Sequence, residues 1–285
     1  MTPLALGLVL AAACCHALWN LLLKRAGEEL GGSVVFVWLF LAASTVIWAP
    51  VSAIVVAIDR PDIGPAQLLF MGGSGVLHLA YFLLLQRGYA VGDLSVVYPL
   101  ARGTGPILAM VGAVLVLGER PSALAIVCGV AVAGGIVALG GGGRRTAGAV
   151  AYALATGAFI AVYTIWDKHG VDALAVPPVL YFWSGDLLRS LALAPLALRR
   201  RSEVRETWAA HRPAVLGVAV LAPLAYILVL SALVFTPASY IAPAREVSIA
   251  LAAALGVFVL GEGQARRRLA CAGVIVAGVV ALAVG

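Results

Sequence analysis

Two arginines, Arg102 and Arg245, lie about seven residues inside stretches of sequence, 94–117 and 238–260, that are otherwise almost uncharged. A guanidinium placed deep in a membrane span costs about 2.5–3.5 kcal/mol on insertion scales, so such a group faces a cavity or a partner. Two of them would suit a carboxylate, phosphate or phosphonate, which Arg binds bidentately. The plainer reading is that each arginine snorkels to an interface or binds a carbonyl at a helix end.

Other residues of chemical interest surround these two in sequence. Glu246 adjoins Arg245; on a continuous helix the two side chains diverge by about 100°, so no pairing between them is expected. Glu246 is a candidate for binding protons or a substrate amine, or for a salt bridge elsewhere. Asp186 and Arg189 are three apart and therefore share a helix face, where mutual neutralisation is the first expectation and a coupling role the second. His16, Trp19 and Asn20 fall within about 1.2 turns of one helix. With Tyr163, Tyr81 and Tyr98 they are candidates to line a cavity with aromatic and hydrogen-bonding groups, and Tyr226 and Tyr240 are similar. Interfacial anchoring of the tyrosines and local satisfaction of His16 and of His78 are the alternatives. Pro99 and Pro243, each within three residues of its arginine, are candidate hinges because proline frees a backbone carbonyl.

The elements that must position these groups follow from composition. Of 285 residues, 63% are hydrophobic and 11% charged, with a mean hydropathy of +1.06. A soluble domain of this length could not bury that much apolar surface, so lipid is part of the solvent. The net charge of +6 does not argue for nucleic acid, since no soluble region is left to present a basic face. Apolar runs of about 20 residues cross about 30 Å of hydrocarbon. Ten are expected, near 3–23, 33–55, 66–86, 94–117, 122–139, 147–166, 177–197, 213–234, 238–260 and 268–284. Each is expected to be a helix, because a lone span in lipid must satisfy its own backbone. The longest break, 199–212, reads as a loop. Cys14, Cys15, Cys128 and Cys271 all fall in apolar runs and read as small hydrophobes. Residues 11–14 faintly resemble a lipoprotein cleavage site, but no cationic segment precedes them.

Loops after odd-numbered spans hold 13 Lys and Arg, whereas those after even-numbered spans hold only Arg60, Arg120 and Lys168. By the positive-inside rule this places both termini outside the cytoplasm.

The chain also repeats itself. Residues 95–139 match 238–282 at a constant offset of 143 with 14 identities in 45 positions, and Arg102 falls on Arg245, Gly118-Glu119 on Gly261-Glu262 and Cys128 on Cys271. Elsewhere the offset drifts to 144 or 145, where Lys24 meets Lys168, Trp38 meets Trp183 and Tyr81 meets Tyr226. Five spans is an odd number, so the second copy must enter the membrane inverted. The expected fold class is thus all-α integral membrane, with ten transmembrane helices as a 5+5 inverted-topology repeat. Such a repeat can open a central site to one side and then the other about a pseudo-two-fold axis in the membrane plane.

His16-Ala17-Leu18-Trp19-Asn20 with Lys24, the stretch Val97-Tyr98-Pro99-Leu100-Ala101-Arg102-Gly103 and the turn Gly118-Glu119-Arg120 resemble the EamA-type permeases of the drug/metabolite transporter superfamily. The resemblance runs nearly the full length and implies one repeat over 1–143 and a second over 144–285. It also implies efflux or exchange of amino acids, related metabolites or drugs, commonly at a bacterial inner membrane. Some look-alikes with this opening are associated with phosphonate use. Two departures stand out. Such permeases are usually drawn with both termini in the cytoplasm, against the charge count, and the second Gly-Glu continues as Gly263-Gln264.

Rival classes are a channel, a lipid-linked sugar flippase and an intramembrane serine protease. The protease reading rests on Gly72-Gly73-Ser74-Gly75 and the nearby His78, although a histidine one turn along the same helix is a poor partner for the serine. The inverted duplication and the lack of a filter-like segment favour a carrier over a channel. Zinc spacing, a phosphate-cradling loop and a nucleotide fingerprint are absent, so no cofactor or metal is expected and the chain is not expected to be an enzyme. Its expected partners are a small-molecule substrate and the bilayer, as a monomer or a homodimer. Small-residue seams at Ala125, Gly129 and Ala133, and at Gly273, Ala277 and Ala281, are expected to serve packing or a dimer face.

Overall fold

The structure, a computed structural model, describes residues 1–27, 30, 33–140, 146–259 and 263–284. Its regular elements are helices: α1 (Pro3–Ala26), α2 (Val34–Asp59), α3 (Pro65–Val91), α4 (Leu94–Leu117), α5 (Ala123–Leu139), α6 (Ala147–Lys168), α7 (Pro178–Leu198), α8 (Arg201–Phe235), α9 (Ala238–Ala244), α10 (Val247–Phe258) and α11 (Ala265–Val284). A π-helical turn, His169–Ala173, extends α6. Among the described residues, eight stretches are long and apolar enough to cross a membrane, with α9 and α10 together forming one of them. The remaining two spans are α5, which is apolar but only 17 residues long, and α7, which is 21 residues long and carries Asp186 and Arg189.

Local chemistry marks the helix starts. Thr2 accepts a hydrogen bond from the Ala5 amide (3.2 Å), and Thr146 accepts one from Ala149 (3.1 Å). A Thr cap therefore opens the first span of both copies, satisfying an amide that the helix leaves unpaired. Ser33 caps α2 and Ser122 caps α5 in the same way.

The packing obeys a two-fold relation. Packing of α1 on α8 is mirrored by α6 on α3, α4 on α6 by α10 on α1, and α2 on α8 by α7 on α3, whereas α2–α7, α5–α11 and α4–α9 each join a helix to its own counterpart. Two close approaches give the detail. A Cβ on Gly73 would lie 2.5 Å from the Trp166 ring, and one on Gly217 would lie 2.6 Å from Leu22, the equivalent pair in the other half. At the α5–α11 seam, Gly135 faces the carbonyl of Cys271 while Gly278 faces that of Cys128. Moving along α5 from 128 to 135 therefore runs backwards along α11 from 278 to 271, so these equivalent spans are antiparallel. This is the inverted repeat, observed in the packing. The two chain ends share one face of the bundle, where the Met1 amino group donates to Ala283 O (3.3 Å).

Three expectations are corrected. The break at 199–212 is mostly helical: α8 begins at Arg201 and kinks at His211, whose φ of −125° is not helical. The ninth span is interrupted, with α9 ending at Ala244 and α10 starting at Val247. In the second half, Gly273 and Ala277 are exposed, whereas Ala272, Ile275 and Gly278 are buried, so the packing seam within the chain lies one helix face away from that stripe, which corrects its packing reading and leaves its dimer-face reading as it stood. Arg144, Arg145, Gly261 and Glu262 lie outside the described residues.

Candidate functional site

Glu246 is completely buried and stands between the two arginines. Its Oε2 is 3.0 Å from Nη2 of Arg102, and its Oε1 is 3.3 Å from Nε of Arg245. The sequence argument that neighbours on a helix diverge fails here because Arg245 and Glu246 are not in a helix. They form the turn between α9 and α10, where the Glu246 amide bonds the Pro243 carbonyl (3.2 Å). Proline at 243 cannot donate its own amide, which weakens the helix at this point. In the first half Pro99 lies inside α4 without interrupting it.

Aromatic groups close around this unit. The Arg245 Nη2 donates to the Tyr163 hydroxyl (3.3 Å) and its guanidinium lies 5.6 Å from that ring's centroid. Tyr81 meets Tyr163 edge to face at 5.7 Å, and Tyr98 lies near Arg102. His16 lies within the field of both arginines. Two guanidinium groups and one carboxylate sum to one net positive charge. The Nε of Arg102 is buried and makes no hydrogen bond, leaving a donor available to an incoming acceptor.

Helix contacts hold the arginines at this depth. A Cβ on Gly157 would fall 2.2 Å from Thr104 Oγ1 and 3.2 Å from Ala101 O, so the absent side chain lets α4 lie against α6 beside Arg102. At the other end Glu119, from the Gly-Glu turn, accepts from the amides of Ala238 (2.7 Å) and Ser239 (2.9 Å). The motif glutamate of the first half thus caps α9, the short helix that presents Arg245. Charge-assisted caps at a helix start also oppose the positive end of its dipole.

Other sequence candidates fall elsewhere. Asn20 spends its side-chain amide on the His16 carbonyl of its own helix (2.7 Å). Trp19 packs with Val35, Phe36 and Val215 between α2 and α8, touching His16 edge-on at 4.9 Å. Asp186 and Arg189 form an ion pair on α7, and Ser44 of α2 donates to Asp186, so this pair faces α2 and not the arginine unit.

Sequence reading missed a third buried carboxylate, in addition to Glu246 and Asp186. Asp167, at the end of α6, is completely buried and accepts from the hydroxyls of Tyr181 (3.0 Å) and Tyr226 (2.7 Å). His78 Nε2 is 3.8 Å away. Ser74, His78 and Asp167 therefore converge, as a protease reading would ask, but the bonding is wrong for a catalytic triad. His78 Nδ1 is 2.9 Å from the Ser74 carbonyl, to which it can only donate, so it is not free to take the hydroxyl proton. A cavity of about 580 Å³ adjoins this region, lined by Glu119, Lys168, His169, Asp172, Thr236 and Pro237.

An all-helical bundle of two inverted five-span copies, with ionisable groups gathered where the copies meet, defines an integral membrane protein of the transporter class. The particular family follows from comparison: the EamA-like transporter family model matches residues 3–141 and again 147–284. The chain belongs to that family and is a membrane transporter of the drug/metabolite transporter superfamily. Among solved structures 28 chains match. One, a crystal structure, is 14% identical with a TM-score of 0.75 and covers 98% of this chain and 96% of its own; the likeness is one of fold. Among curated proteins no relative matches this sequence.

Proposed function

We propose that the chain is a secondary carrier that exports or exchanges a small anionic or amino-acid-like metabolite by alternating access. The observation that carries this reading is the buried Arg102–Glu246–Arg245 unit, shared between the two copies and left with one net positive charge. One carboxylate, phosphate or phosphonate neutralises that charge, and guanidinium groups bind such oxyanions with directed, charge-assisted bonds. Glu246 would orient the amine of an amino acid while the arginines take its acidic group. Tyr163, Tyr98, Tyr81 and His16 form the surrounding wall, and the break at Pro243 supplies a place where the ninth span can bend. The α5–α11 seam joins the inverted copies as a pivot, and rocking of one copy against the other alternates access. The carrier acts as a monomer or homodimer in a bilayer, in keeping with a bacterial plasma membrane.

The test is counterflow in liposomes containing the purified full chain. Vesicles loaded with unlabelled L-glutamate, methylphosphonate or phosphate are diluted into the labelled compound. Transient accumulation that saturates with concentration is the carrier's signature. Linear, non-saturating flux would instead indicate a channel, and flux of none of these compounds alongside movement of a labelled lipid would indicate a flippase.

A further inference from the structure

Asp167 poses a problem of its own. A carboxylate removed from water is costly unless it is fully bonded or can shed its charge. The two hydroxyls that bond it belong to Tyr181 and Tyr226, and both are neutral donors. The basic group beside it is His78, whose Nδ1 is committed to the Ser74 carbonyl and whose Nε2 is buried, unbonded and 3.8 Å from Asp167 Oδ2. A proton placed between these two atoms would complete a hydrogen bond that neither can make without it.

The cations around this pair each hold a partner of their own. Facing it are Ser74 from α3, Tyr163 from α6, Tyr181 and Arg189 from α7, Tyr226 from α8 and, beyond Tyr163, Arg245, with Lys168 the next residue along α6. The three cations are engaged elsewhere: Lys168 with Asp172 (2.7 Å) and the Leu233 carbonyl (2.6 Å), Arg189 with Asp186, and Arg245 with Glu246 and Tyr163. Lys168 also lines the 580 Å³ cavity, while Asp167 itself is completely buried. The pair is also in physical contact with the arginine unit, because His78 stacks on Tyr163 at 4.2 Å and Arg245 donates to that tyrosine's hydroxyl.

We propose that Asp167 and His78 form a proton-binding site, distinct from the Arg102–Glu246–Arg245 unit, that loads and releases one proton in each transport cycle. The empty pair carries one negative charge. Proton binding forms an O–H bond at Asp167 Oδ2, which faces the unbonded His78 Nε2, and brings the pair to neutrality, with no bond broken in the protein. Gain of the O–H···N bond draws the imidazole toward Asp167 and away from Tyr163, which alters the support of Arg245. The coupling to transport rests on the carrier reading above, whereas the proton site does not.

Infrared titration of the full chain in detergent, without substrate, tests the site. A protonated-carboxyl C=O band that grows as pH falls is expected in the native protein, to be lost in Asp167→Asn and kept in Glu246→Gln. A titrating band unchanged in Asp167→Asn, or no such band in the native protein, overturns the proposal. Should Asp167→Asn fail to fold, Asp167→Glu must shift the band's frequency, and an unshifted band overturns it equally. The coupling is read in liposomes: Asp167→Asn is expected to retain methylphosphonate counterflow and to lose accumulation driven by a pH gradient. Retained gradient-driven accumulation overturns the coupling. A native protein that moves none of the tested anions refutes the carrier reading, while the infrared band still decides the proton site.

Discussion

The fourth and ninth spans descend from one sequence, carry their arginines at the same repeat position, and differ in backbone. α4 runs unbroken from Leu94 to Leu117 with Pro99 inside it. Its counterpart breaks after Ala244, one residue beyond Pro243, and the break turns Glu246 back onto both guanidinium groups. At the position matching Glu246 the first half has Gly103, whose lack of a side chain lets α4 approach Ala133 and Val137 of α5. One copy thus supplies a rigid arginine packed between α5 and α6, and the other an arginine with its counter-ion on a turn. The repeat fixes where the charges sit, and departures from the repeat fix how they pair.

The largest effect should come from removing the counter-ion. Glu246→Ala leaves two buried guanidinium groups uncompensated, and loss of one partner from a buried pair costs about 3–5 kcal/mol. A steep fall in Tm in detergent is expected, partly recovered in Glu246→Ala with Arg102→Met. If the single variant melts like the native protein, the pairing is wrong.

Next is the rigid side. Gly157→Val places atoms where Thr104 Oγ1 and the Ala101 carbonyl already lie, and overpacking of this kind costs about 1–3 kcal/mol. Thermal unfolding should report it, whereas Gly273→Val, where nothing lies within 4 Å, should leave Tm unchanged.

Glu119→Gln keeps the shape of the cap but removes its charge, and the loss should be on the order of 0.5–2 kcal/mol, as for other helix caps. The effect should be smaller still for the two prolines, and asymmetric. Pro243→Ala should slow or speed exchange because it permits the ninth span to close its break, while Pro99→Ala, in a helix already continuous, should change exchange less. Equal effects would erase the distinction between the two spans.

Much of this was legible in the sequence because lipid makes strong demands. Ten spans follow from the length of apolar runs, and inversion follows from an odd number of spans per copy with Arg on Arg at a fixed offset. What the sequence concealed are local exceptions to helical geometry. The 100° rule separated Arg245 from Glu246 only on the assumption of a continuous helix, and Pro243 was the one signal against it. Asp167 has Leu23 as its repeat partner and Lys168 as its neighbour, so it read as the edge of a loop; tertiary packing from α3, α7 and α8 is what buries it. Asn20 looked available, but a short amide on a helix readily bonds the carbonyl one turn back. In the same way, the segment before His211 is charged enough to read as a loop, yet it forms a helix on the face where the basic residues gather.

Binding of an anion to the arginine unit is the claim on which the functional account stands. Thermal shift in detergent with L-glutamate, methylphosphonate and phosphate measures it directly on the native protein and on Arg102→Lys and Arg245→Lys, which keep the charge and lose the bidentate fork. At least one of these anions should raise the Tm of the native protein and do so much less in both variants. Equal stabilisation of all three proteins, or of none by any anion, would contradict the account.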